Sequence, residues 1–194
     1  MNLKLKLNIP ILQKAQALDD ITASLSGLIN SLDTTIMFTT AGTLEVVDEN
    51  TTFGDSREDI LRLAQVLVQD VQRLLVTSSS SRAELTNAAS IAQVNIGQLV
   101  DKIKLGAASL GAKNQETQVM LLNSAKDVCM SLHGLLTQAK TANGHDVTHP
   151  SYNQVADYSK VSLLNISIKS HLSLFYNLGC HNEYYKLLEV SQNV

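Results

Sequence analysis

The sequence predicts an all-α protein, folded as an antiparallel up-and-down bundle of five helices. Apolar residues recur three and four positions apart along most of the 194 residues, which is the spacing of one helix face. Only 2 prolines and 9 glycines occur, too few for the many turns of an all-β chain. With 44% hydrophobic residues the chain can bury a sizeable core, and short connections between long helices favour antiparallel neighbours.

The first two helices follow from apolar stripes and from one start signal. The first stripe begins at Leu18 and runs to about Leu44, where Gly42 and an acidic stretch loosen it. The second helix opens near Asp55 or Ser56, since both residue types cap a helix N-terminus with a side-chain oxygen. Its apolar stripe ends before a run of four serines. The stripe consists of Ile60, Leu63, Leu67, Val71 and Leu74.

The other three helices have sharper boundaries. Ser81 and Glu84 have the spacing of a capping box, in which the two residues cap each other's backbone amides, and they predict the start of the third helix. The fourth helix covers about 116–142, and the Asn-Gly pair at 143–144 is a suitable stop. Pro150 suits the first turn of a fifth helix.

Composition and charge exclude several functional classes. With 15 basic and 18 acidic residues, the chain lacks the cationic excess of a nucleic-acid-binding protein, and without tryptophan it offers little for base stacking. No stretch reaches the roughly 18 apolar residues of a membrane span, and Lys4, Lys6 and Asn8 interrupt the start of any signal sequence. We therefore expect a cytoplasmic protein with no nucleic-acid partner and no membrane span.

Two groups of reactive side chains raise the question of catalysis. His145, Asp146 and His149 place two imidazoles and a carboxylate close together, but a metal site needs three or four converging ligands. Cys129 and His133 could form a nucleophile and a base, yet this thiol lies among apolar residues, as a small buried side chain does. No glycine-rich phosphate loop is present. We predict no enzyme, no metal and no cofactor.

The fourth helix has a broad apolar face in which small residues alternate with large ones. Such a face can insert deeply between two helices of a partner, the helix-in-groove mode of recognition. The same face also serves to fill the core of the bundle, and both uses hold if they belong to alternative states. The face consists of Leu121, Ser124, Ala125, Val128, Cys129, Leu132, Leu135, Leu136 and Ala139.

Four stretches carry a resemblance to a known family. The segments LDTTIMF at 32–38, AGTL at 41–44, KLGAASLGA at 104–112 and ETQV at 116–119 resemble the talin rod, specifically a five-helix module in its C-terminal half. The resemblance runs over 16–167 and spans helices and loops in order. Talins link integrin tails to actin, and their rod recruits vinculin. The resemblance therefore implies a cytoskeletal adaptor module at cell–matrix adhesions, with actin reached indirectly or through modules absent from this sequence.

The apolar face of the fourth helix resembles the vinculin-binding pattern of this family. The nine residues of that face fall on the nine pattern positions, and four of them are conservative replacements. Ser124 and Cys129 stand where the pattern has alanine, Leu132 where it has valine, and Leu136 where it has isoleucine. The resemblance thus implies a cryptic vinculin site. The alternative is a spacer bundle in a larger rod, with no partner of its own.

The resemblance also implies a second site, for the integrin β tail. The related module uses an exposed basic pair, four residues apart, on the fourth helix. Lys126 matches the first position, whereas Met130 occupies the second. At 100° per residue both lie opposite Val128, which predicts that both are exposed.

Both ends of the chain depart from the family pattern. We expect an N-terminal extension over 1–14, the rod-like bundle over 15–167 and a divergent tail over 168–194. The tail holds four of the eight aromatic residues. We therefore expect the fifth helix to be truncated or divergent after Ser167 and the tail to pack poorly.

Overall fold

A computed structural model describes the backbone of residues 3–44 and 52–175, and side chains within 16–44, 52–111 and 113–167. These residues form five α-helices, and a short 3-10 turn at Ala112–Asn114 separates the third from the fourth. The described residues contain no strand, which confirms the predicted fold class. The helices are α1 (Leu3–Thr40), α2 (Phe53–Thr77), α3 (Arg82–Ser109), α4 (Gln115–Ala142) and α5 (Ser151–Phe175).

The five helices form a closed ring in the order α1, α4, α5, α2, α3. Each helix packs against its two neighbours in that order, and α4 also contacts α3 and α2 across the ring. Within the described residues α1 and α5 do not touch, so α4 separates the first helix from the last. The helix that carries the candidate site is therefore the one that contacts all the others.

Side-chain contacts fix the directions of these helices. Asp19 and Asp33 of α1 pair with Lys140 and Lys126 of α4, so that α1 and α4 run antiparallel. Two contacts between α5 and α4 show the same arrangement. The side chain of Asn165 in α5 bonds to the carbonyl oxygen of residue 127 in α4, and Tyr158 contacts Gly134, so α5 also runs antiparallel to α4. Because both flanking helices oppose α4, they are parallel to each other, as in an up-and-down bundle.

The start signal of α3 agrees with the structure, whereas that of α2 needs a correction. The Ser81 hydroxyl accepts from the Glu84 amide at 3.3 Å, and the Ser81 amide donates to the Glu84 carboxylate at 3.0 Å, so the capping box is present. The second helix begins earlier than predicted, because Thr52 is its N-cap and donates its amide to Asp55 at 2.9 Å. Ser56 is 2% exposed and lies inside the helix, so it cannot cap it.

Both ends of the bundle differ from the sequence expectation. Helix α1 begins at Leu3, well before the predicted stripe at Leu18, although Pro10 lies within its first turns and cannot donate a helical hydrogen bond. Helix α5 continues past Ser167 to Phe175 and is therefore not truncated there. The tail beyond 175 and the side chains from 168 onward lie outside the described residues, so the expectation of poor packing stays a prediction. No helix in the described part of the chain combines the length and apolarity of a membrane-spanning helix.

The core consists of leucine, isoleucine, valine and alanine side chains from every helix. Among the described side chains one charged residue, Asp70 of α2, is buried with them, at 2% exposure. The Asn95 amide of α3 donates to its carboxylate at 2.6 Å, and the Arg73 guanidinium lies 3.6 Å away. Burial raises the pKa of Asp70, while the bond from Asn95 and the charge of Arg73 oppose this shift.

Replacing Ser81 by alanine should destabilise the protein, because α3 loses the acceptor for one of its first amides. We expect a loss of about 1 kcal/mol in the free energy of unfolding, which corresponds to a fall of roughly 2–4 °C in Tm for a chain of this size. Thermal unfolding followed by circular dichroism measures it. Ser80→Ala is the matched control, since Ser80 lies in the same connection outside the capping box. Equal losses in both variants would contradict the capping role.

The raised pKa of Asp70 predicts a pH-dependent stability difference from the Asp70→Asn variant. The folded protein binds this proton more tightly than the unfolded chain, so the contribution of Asp70 is most favourable below its ordinary pKa of 3.8 and is lost as the pH rises through the folded value. The native protein should therefore gain stability relative to the variant as the pH falls from neutral toward 4. Urea unfolding of both proteins measures this difference in the free energy of unfolding. The other carboxylates are the same in both proteins, so their contributions cancel. A constant difference would exclude the buried carboxylate as its source.

Candidate functional site

The predicted vinculin-binding face of α4 lies almost entirely in the core. Of its nine residues, eight are no more than 5% exposed, and four of them are leucines. Helices α1, α3 and α5 all pack against α4 and cover this face. The eight buried residues are Leu121, Ala125, Val128, Cys129, Leu132, Leu135, Leu136 and Ala139.

The ninth residue, Ser124, lies at the edge of this face and is half-buried. Its hydroxyl donates to the carbonyl oxygen of Met120 at 2.9 Å, one turn earlier in the same helix. This bond satisfies the hydroxyl within α4 itself, so Ser124 keeps its partner whether or not α4 stays in the bundle.

Helices α4 and α5 approach closely at Gly134. A β-carbon built on Gly134 would lie 2.4 Å from a ring carbon of Tyr158, so the tyrosine ring occupies the space that any larger side chain would need. In the described part of α5 the buried apolar residues are Val155, Leu163 and Ile166, and buried serines lie between them.

The geometry does not support a nucleophilic thiol in α4. Cys129 is fully buried, and desolvation raises its pKa to about 12, so at neutral pH it is a thiol and not a thiolate. It lies within the apolar core cluster between Val128 and Leu132. Cys129 is therefore a small apolar core residue in the folded bundle, as its sequence neighbours indicate.

The histidines of the α4–α5 connection stack on each other instead of converging on a common point. The rings of His145 and His149 have centroids 4.4 Å apart, and Asp146 accepts bonds from the Thr148 amide and hydroxyl, which lower the pKa of its carboxyl. His149 also bonds to the Ser151 hydroxyl at 2.9 Å, at the start of α5. In the residues that the structure describes, no group of three or more potential ligands could hold a metal ion.

Lys126 and Met130 differ in their surroundings, which corrects the expectation that both are exposed. Met130 is 51% exposed, but the Lys126 side chain is only 28% exposed. Its ammonium group lies 2.5 Å from a carboxylate oxygen of Asp33 in α1. Helical spacing alone does not reveal that α1 packs along this edge of α4.

A second ion pair repeats this arrangement four turns away. Lys140, the other lysine of α4, pairs with Asp19 of α1. The two aspartates are 14 residues apart in α1, and the two lysines are 14 residues apart in α4. Sequence reasoning did not identify Asp19 or Asp33, although this equal spacing was a signal that could have revealed them.

Comparison with known proteins agrees with this geometry. The family model of the talin 1-like rod segment domain matches residues 15–168. Talin of Oscarella pearsei is 41% identical over 152 residues, talin-2 of Homo sapiens 42% and talin-1 of Gallus gallus 41%. Each alignment covers 78% of this chain and 6% of the relative, so the chain spans a small part of the proteins it matches. The chain therefore belongs to the talin 1-like rod segment family.

Proposed function

We propose that this chain is an adaptor module of a talin-like protein that links integrin adhesions to the actin cytoskeleton. It acts in the cytoplasm at cell–matrix adhesions, without catalysis, and its α4 helix binds vinculin after release from the bundle. The observation that carries this proposal is the burial of eight of the nine pattern residues in the helix that holds the bundle together. Actin is reached through vinculin or through other parts of a longer protein.

The burial of this face makes the vinculin site cryptic. Burying the five large side chains Leu121, Val128, Leu132, Leu135 and Leu136 contributes about 8–15 kcal/mol before conformational entropy is counted. A partner that needs the same surface can bind only molecules in which α4 has been released. Its apparent affinity is therefore reduced by the small fraction of open molecules.

The topology couples this opening to tension. Helices α1 and α5 are parallel, so the start of α1 and the end of α5 lie at opposite ends of the bundle. A tensile force between these two ends therefore acts on the contact of α4 with α1 and on the contact of α4 with α5. The described part of α5 contributes three buried apolar side chains to the core, so we expect α4 and α5 to separate at a lower cost in hydrophobic burial than α4 and a leucine-rich neighbour.

We also propose that an integrin β tail binds weakly to the exposed side of α4. Lys126 supplies one cation at the edge of α4, and its ammonium group is available only in competition with Asp33. Met130 supplies an exposed apolar side chain where the family pattern has a second cation. An acidic segment of the tail would therefore find a single charge here, which gives a weak and salt-sensitive contact.

The alternative function is that of a spacer in a larger rod, with no partner of its own. Family membership is compatible with both functions, since a rod contains bundles whatever they recruit. The same apolar face would then serve only the core. Binding of the isolated helix to vinculin discriminates between the two functions, because a spacer has no need of a face that fits a partner.

A peptide covering residues 117–143 should bind the vinculin head domain more tightly than the intact chain does. In the peptide, Leu132→Asp should weaken binding about 30-fold or more, because a buried unpaired carboxylate costs at least roughly 2 kcal/mol. Thr137→Asp is the matched control, since Thr137 is exposed on the same helix and lies outside the pattern. Fluorescence anisotropy measures all three affinities. A native peptide that fails to bind, or binds no better than the intact chain, would favour the spacer function.

Met130→Lys should tighten binding of an integrin β-tail peptide to the intact chain, because it adds a second cation to the exposed face. An exposed charge pair contributes about 0–1 kcal/mol, so we expect a gain of up to about fivefold, larger at low salt. Thr137→Lys adds the same charge elsewhere on the exposed side of α4 and should gain less. Isothermal titration at two salt concentrations measures the difference. Equal affinities for Met130→Lys and the native chain would rule out the basic pair.

A further inference from the structure

Lys126 connects the two proposed sites on α4. Its ammonium group is held by Asp33 of α1, and both side chains are partly exposed, at 28% and 46%. Its neighbour Ala125 belongs to the buried vinculin-binding face. The cation that an acidic ligand would seek is thus the cation that fastens α1 to α4.

We propose that Asp33 is an intramolecular competitor for Lys126, so that an acidic peptide ligand binds there only by displacing the Asp33 carboxylate, and that this displacement loosens α1 from α4. The inference rests on the proposed function, and it adds a regulatory link between binding of the integrin tail at Lys126 and binding of vinculin by α4. A carboxylate already in contact with the ammonium group occupies the position that a ligand carboxylate would take. The ligand gains one charge pair and the protein loses one.

The position of the Asp33–Lys126 pair explains why its loss would weaken the attachment of α4 to α1. The Asp33–Lys126 and Asp19–Lys140 pairs lie about 21 Å apart along the seam, at 1.5 Å per residue, in one common antiparallel register. They are the charge pairs that join α1 to α4 among the described residues. When a ligand removes one of them, the described part of the α1–α4 contact keeps the Asp19–Lys140 pair, the hydrogen bonds from the Gln115 side-chain amide to the carbonyl oxygens of Thr39 and Thr40, and its apolar packing. Opening of α4 then costs less free energy.

Binding at Lys126 and release of the vinculin-binding face are therefore coupled, and the coupling is positive. By linkage, any partner that holds α4 open also raises the affinity of Lys126 for an acidic ligand, because α1 no longer presents Asp33. Each exposed pair contributes little, so the expected coupling is about two- to fivefold.

Titration of an integrin β-tail peptide against the intact chain and three variants tests the competition. Asp33→Asn frees Lys126 and should tighten binding about two- to fivefold. Asp19→Asn is the matched control, because it breaks the other pair of the same seam and leaves Asp33 on Lys126; its affinity should stay close to the native value. Lys126→Gln should bind most weakly. Competition is overturned if Asp33→Asn binds no tighter than the native chain, or if Asp19→Asn gains as much.

Labelling of the Cys129 thiol tests the coupling without vinculin. This thiol is fully buried, so it reacts with iodoacetamide only after α4 opens. Peptide mass spectrometry separates its adduct from that of Cys180. Asp33→Asn and Asp19→Asn should each label about two- to fivefold faster than the native chain. Saturating tail peptide should accelerate the native chain and Asp19→Asn, and should leave the rate of Asp33→Asn unchanged.

Two results would overturn the coupling. One is a tail peptide that slows or does not change Cys129 labelling of the native chain, since the ligand would then leave the seam intact. The other is equal acceleration of the native chain and Asp33→Asn, since the effect would then not pass through Asp33. Neither result bears on vinculin, whose binding the isolated helix tests separately.

Discussion

The structure depends on the burial of one helix face. Among the described residues, α4 is the helix that contacts all four others, and its apolar side holds small and large residues in alternation. Alanine and cysteine let the neighbouring helices approach, while the leucines fill the space between the two sides of the ring. Removing α4 would expose apolar surface on every other helix. The core and the candidate binding surface are thus a single set of side chains.

Charged groups have a different role in this bundle. Most lie at the rim, where water screens them and each pair contributes little free energy. Their positions nevertheless fit the observed register, because the two aspartates of α1 meet the two lysines of α4 at a common spacing of 14 residues. Asp70 is the exception, since it is buried between α2 and α3 and depends on Asn95 for its hydrogen bond. Hydrophobic burial therefore supplies most of the stability, and the charge pairs contribute little beside it.

Local signals explain which sequence predictions agreed with the structure and which did not. The Ser81–Glu84 capping box was predictable because both partners lie within one turn of helix. The start of α2 was misplaced because Thr52, Asp55 and Ser56 are all suitable caps, and only packing against α3 puts Ser56 inside the helix. The start of α1 was placed too late because its first turns lack the apolar stripe and include Asn8 and Pro10, which are poor helix formers in a helix interior.

The sequence by itself determined the number and class of the elements, the apolar face of α4 and the family, because periodicity and short motifs are local properties of the chain. It also determined the angles of Lys126 and Met130 around α4. Only the tertiary structure decided that Asp33 forms an ion pair with Lys126 while Met130 faces solvent, and that α4 separates α1 from α5. The physical reason is that helical spacing fixes directions around one axis, whereas the neighbour on each side follows from packing between residues far apart in the chain.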